Sequence, residues 1–212
     1  YPYNVQVSGN TTLRPARDDQ SYSSTTFSVA NNLTIDAGSE IYMDYGGDNM
    51  NIPLIVGNDL TIEGELSLSG VSLGDIKVGG DWTRTSSGNF YPNNRAVYFT
   101  GNTDQNVSRT GGGIETFSYF IVDKPNSGTY VKPNNSVGDP TDITISGTSG
   151  NVLQLINNGS LDLNGRTVTL DANSSISAAG FIYVNGARTI TNSQGINSGK
   201  FEIKSSSNQN EP

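Results

Sequence analysis

Three groups of side chains in this sequence are spaced as chemistry would require. Glu63 and Glu65 stand two apart around Gly64. On one regular strand they would share a face and offer the paired carboxylates of a general acid and base; at a corner they would flank the glycine and face water, and the glycine favours the corner. Asp44, Asp48 and Asn51 surround Gly46-Gly47 and supply hard oxygen ligands of the kind calcium takes. Their spacing is not that of an EF-hand loop, and no second ligand row repeats elsewhere. Calcium at this loop is the one cofactor the residues suggest. Tyr91 and Tyr98 are candidate contacts for a neutral glycan, because ring faces cover sugar C–H surfaces without needing charge. Trp82 and Phe90 stand nearby.

What is missing limits the chemistry further. The chain has no cysteine and no histidine, so it can build neither a Ser-His-Asp triad nor a Cys nucleophile, nor a zinc or copper site on imidazole or thiolate. No residue is assigned a catalytic role. Twenty acidic side chains against 12 basic ones leave a net charge of -8, which opposes a polyphosphate partner and excludes nucleic acid. No stretch approaches the roughly 20 apolar residues of a membrane-spanning helix. The Tyr1-Pro2-Tyr3 start lacks the basic-then-apolar pattern of a signal peptide, so the chain reads as mature or as part of something larger.

The elements that must position these groups are short strands. Only 33% of the 212 residues are apolar, and they recur as triplets with a small polar or charged residue in the middle. Leu33-Thr34-Ile35, Leu60-Thr61-Ile62, Ile76-Lys77-Val78, Ile143-Thr144-Ile145, Leu161-Asp162-Leu163, Val168-Thr169-Leu170 and Phe201-Glu202-Ile203 are examples. Each predicts a strand buried on one face, and Asn, Asp, Gly and Ser between them predict tight turns. Whole segments repeat, turns included: Val29 to Ile35 aligns with Val56 to Ile62 at 56 − 29 = 27, and Leu161, Phe181 and Phe201 fall 20 apart. Such a period suits one coil of about three short strands stacked on the next.

The predicted fold is therefore all-β, a right-handed parallel β-helix with coils of about 20–27 residues; a Greek-key β-sandwich is the alternative. Residues 1–26 read as an irregular N-terminal cover or first coil, 27–204 as solenoid repeats, and 205–212 as a linker toward a further C-terminal part. The polar, Gly-rich stretch from Gly101 to Gly113 reads as a loop or bulge leaving the coil.

Two resemblances bear on function. From Val78 to Leu170 the order Gly-Gly-Asp-Trp-Thr (79–83), Gly-Asn-Phe-Tyr-Pro-Asn (88–93), Ala-Val-Tyr-Phe-Thr-Gly-Asn (96–102), Gln105-Asn106-Val107, Phe117 to Lys124, and Asn158 to Leu170 resembles a repeat of very large secreted surface proteins of the Bacteroidetes. That resemblance implies a core role for Trp82 and Phe90 and, for the whole, a secreted, extracellular or cell-surface β-helical protein associated with adhesion or gliding and exported by a type IX system. It implies a structural or adhesive, non-catalytic module whose partners are neighbouring repeats or subunits of the same protein or fibre, and surface glycans. A carbohydrate-binding module is the alternative reading, and a polysaccharide-degrading β-helix enzyme the third. Asn102-Thr103-Asp104 also resembles the Asn-Thr-Asp of polygalacturonase-like hydrolases, which would make Asp104 a catalytic acid. That family's paired Asp-Asp, Gly-His-Gly and Arg-Ile-Lys do not accompany it.

Overall fold

The computed structural model describes residues 1–15, 27–45, 48–170, 174–178, 181–184, 190–192 and 202–205. Every described regular element is a β-strand, and most are three residues long. The chain winds round three faces and returns to the first one coil further on. The first face is a nine-stranded sheet running from Val5–Val7 through Leu33–Ile35, Leu60–Ile62, Trp82–Arg84, Gln105–Arg109, Val131–Pro133, Ser160–Asp162 and Phe181–Val184 to Glu202–Ser205. The third face is a seven-stranded sheet from Phe27–Val29 to Ser174–Ala178. The second face is split into two four-stranded sheets, Thr12–Leu13 to Asn89–Tyr91 and Gly113–Phe117 to Ile190–Asn192.

Adjacent rungs pair in parallel throughout these four sheets, which makes the molecule a β-solenoid and rules out the sandwich, whose hairpins need antiparallel neighbours. The one antiparallel pair described is a small hairpin, Asp44–Tyr45 with Asp48–Asn49, that leaves the second coil above the buried Met43 and Met50. Coil length on the first face runs from 182 − 161 = 21 residues to 161 − 131 = 30. The upper end exceeds the predicted range because the coil from Val131 carries the turn at Asn134 to Pro140 and the long strand Gly150–Asn157.

Register explains the triplets. Leu33, Leu60 and Trp82 form one inward row, and Val29, Val56, Val78, Phe99, Val122 and Leu155 another. All are buried at 1% exposure or less. Because alternate side chains point to opposite faces, the middle residues Thr34, Thr61 and Thr83 stack outside as a second row.

Corners are held by two columns of their own. Asn4, Asn32, Asp59 and Asp81 each precede the first inward residue of a coil, and each side-chain oxygen accepts the N–H of its equivalent one coil on: Asn32 (3.2 Å), Asp59 (3.2 Å), Asp81 (2.8 Å) and Asn106 (2.7 Å). The sequence suggests that such residues bond their own turn; they bond the next turn instead. Beside them Gly57, Gly79 and Gly101 stack so closely that a Cβ on any one would collide with the carbonyl oxygen of Ala30, Gly57 or Gly79 below.

Two expectations are corrected. The predicted loop between Gly101 and Gly113 contains a ladder strand, Gln105–Arg109, paired on both sides. It escapes the apolar pattern because a glutamine occupies an inward position, buried and bonded. The alignment of Leu161 with Phe181 is off by one: Leu161 pairs with Ile182, and Phe181 pairs with Ser160. A one-residue slip exchanges faces, so Ile182 is buried and Phe181 is outside, 38% exposed. Val5–Val7 and Thr12–Leu13 are rungs of the first two faces, whereas residues 16–26 and 206–212, together with Phe201, lie outside the described residues.

Candidate functional site

The hairpin holds two of the three predicted calcium ligands, Asp44 and Asp48, on opposite strands. Asp44 Oδ2 already accepts the Gly70 N–H at 3.1 Å. Asn51 is exposed just beyond the hairpin, and the Asp48 side chain lies outside the described residues. Among the described residues no three Asp, Glu, His or Cys side chains gather closely enough to hold a metal ion.

Glu63 and Glu65 flank the corner between the first and second faces, where the Glu63 and Gly64 amides both donate to the Ile35 carbonyl. The structure adds a third acid that spacing could not reveal: Glu40 pairs in register with Glu65 one coil earlier. The three line one open groove of about 190 Å³ with Ser39, Ser87 and Asn89. Its carboxylates have neighbours. Glu40 accepts the Thr12 hydroxyl at 2.9 Å, and Glu65 takes the hydrogen bond of Tyr42, which, with burial, pushes that phenol up to about 12.

Asp104 ends up in a structural setting. It accepts the Tyr130 N–H at 2.9 Å and pairs with Lys132 Nζ at 2.6 Å. Burial raises its pKa, but the Lys132 ammonium and the Tyr130 amide outweigh burial and hold it below the usual carboxylate range. A proton donor needs the opposite shift.

The two candidate glycan tyrosines stand on different faces. Tyr91 ends a second-face strand and is 47% exposed. Tyr98 is outward on the third face but half-buried, with the Lys77 ammonium 5.5 Å from its ring centre. Trp82 and Phe90 are interior as expected, 4.7 Å apart edge-on, in a chain of rings that continues through Phe117, Phe120 and Phe99. Those contacts carry the core across the break in the second face.

At the same break the inward rows turn polar. The row Ile35, Ile62 continues as Arg84, Arg109, and the row Ile143, Val168 begins as Glu115. The fully buried Glu115 meets Arg84 Nη2 at 2.7 Å and Nε at 2.8 and 2.9 Å, while Trp82 Nε1 donates to it at 3.2 Å. Burial pushes the Glu115 carboxyl up, and Arg84 only partly offsets it. Lys124, also fully buried, donates to Gln105 Oε1 at 2.5 Å and to the Thr103 carbonyl at 2.9 Å. Gln105 in turn donates to the Val78 and Gly80 carbonyls and accepts the Gly101 N–H at 2.9 Å. Burial takes the Lys124 amine down to about 8, against the pull of Asp104 and Asp81.

Sequence reading misses an aromatic surface on the late coils of the first face. Tyr130 and Tyr183 meet edge-on at 4.9 Å, Phe181 lies 6.1 Å from Tyr183, and Lys132 sits 5.2 Å from the Tyr130 ring centre. Their hydrogen bond, with burial, raises the Tyr130 phenol. The signal was present in Phe181-Ile182-Tyr183-Val184, where aromatic and aliphatic residues alternate. Aligning Phe181 with Leu161 turned it inward. No protein-family model matches this chain, no curated protein matches it, and no solved structure matches it.

Proposed function

We propose that this chain is a structural or adhesive, non-catalytic module of a large extracellular surface protein. The observation that carries the reading is where the buried ionisable groups go. Glu115 bonds to Arg84 one coil earlier, and Lys124 bonds to the Thr103 carbonyl and to the uncharged Gln105, which itself bonds to Val78 one coil earlier. Asp104 is engaged by Lys132 and Tyr130 of the next coil. These groups act as rivets between coils. Stacked coils support each other through nearest-neighbour contacts, which suits an extended scaffold. The outer rows of Thr and Asn present a hydrated surface, and the resemblance to secreted Bacteroidetes repeats supports an extracellular setting.

The test is location. Antibodies raised against this chain should label intact, unpermeabilised cells of the organism that encodes it. Labelling seen only after permeabilisation would overturn the extracellular reading.

A further inference from the structure

Where the third face turns into the first, the late corners form a groove of about 130 Å³ lined by Ser127, Gly128, Asn157, Asn158, Phe181 and Tyr183. It crosses three successive coils, so it extends about 10 Å along the axis at the strand spacing of parallel ladders. Its wall is aromatic at one side and carboxamide at the other. Asn157 Nδ2 donates to Asp123 at 2.5 Å, and Asn158 Nδ2 donates to the Pro125 carbonyl at 3.0 Å. With both nitrogens tied down, each carboxamide is fixed, and its oxygen has no protein donor among the described residues. Asn157 is further set by its left-handed backbone, φ 53°.

We propose that this groove binds a neutral oligosaccharide, with the Tyr183 and Phe181 rings against sugar C–H faces and the Asn157 and Asn158 oxygens accepting sugar hydroxyls. The proposal deepens the module reading, and rests on it for the setting in which a glycan would be met. Aromatic side chains cover apolar surface at small entropic cost while a phenol keeps a polar end. No charged side chain lines the groove. The net charge of -8, with Asp123 behind Asn157, disfavours a uronic-acid polymer. A peptide adding itself as a strand is also disfavoured, because the first-face strands here, Ser160–Asp162 and Phe181–Val184, have ladder neighbours on both sides.

The test is isothermal titration of the 212-residue chain with tetrasaccharides of β-glucose, β-mannose and β-xylose, and with a tetragalacturonate. At least one neutral tetrasaccharide should bind and the galacturonate should not. Tyr183→Ala and Asn158→Ala should each weaken that binding about tenfold or more, while Tyr183→Phe, which keeps the ring, and Tyr91→Ala, on another face, should retain it. Asn158 is exposed, so its variant reports on binding even if Tyr183→Ala loosens the fold. The proposal fails if no neutral tetrasaccharide binds, if only the galacturonate does, or if binding survives Asn158→Ala and Tyr183→Ala alike. Such a failure leaves the surface-labelling result, and the module reading it tests, unaffected.

Discussion

Arg84 and Glu115 show how one residue pair can hold a break in a solenoid. Both oxygens of the carboxylate are bonded, and its removal would leave a buried guanidinium with one carbonyl, that of Gly88, as its remaining partner. Truncating one member of such a pair costs about 3–5 kcal/mol, whereas replacing both with apolar groups is often neutral. Glu115→Ala should therefore lower the urea midpoint sharply, and the double change Glu115→Leu with Arg84→Met should recover most of the loss. Lys124 makes a second prediction, in pH. Between about pH 8 and the ordinary lysine range, the folded chain has released a proton that the unfolded chain still holds. Stability should rise with pH across that window, by a few kcal/mol at most, and Lys124→Met should flatten the rise. Thermal melts from pH 7 to pH 11 would show both.

At the scale of the element, strands of the kind Leu33–Ile35, Leu60–Ile62, Ile76–Val78 and Val168–Leu170 are legible because each is an apolar-polar-apolar triplet whose outer residues are buried. What was not legible is what passes between coils. A glutamine at the inward position of Gln105–Arg109 reads as polar loop until Val78, Gly80 and Gly101 are seen to satisfy it. Corner Asn and Asp side chains carry the same turn signal whether they bond their own coil or the next. The Glu40 to Glu65 pairing and the Tyr130 to Tyr183 contact join residues far apart in sequence whose register no local pattern fixes. The glycine column gives the test for this scale. In Gly79→Ala the new methyl meets the Gly57 carbonyl, a backbone atom that can yield only if the coil below moves. The change should cost about 2 kcal/mol or more in equilibrium unfolding, while Thr83→Ala, on an outward position of the next strand, should stay within about 0.5 kcal/mol.

For the whole molecule, the role we propose has the buried and paired charges holding coils together without turning over a substrate. Among the described residues, the groove of Glu40, Glu63 and Glu65 and the Asn102-Thr103-Asp104 turn are the places where paired or catalytic carboxylates would contradict it. The most direct measurement is release of reducing or unsaturated sugar ends from a panel of neutral and acidic polysaccharides, followed from pH 4 to pH 9. The account predicts no release above the protein-free control at any pH. Release that disappears in Glu65→Gln or Asp104→Asn, with the melting curves of those variants unchanged, would contradict it.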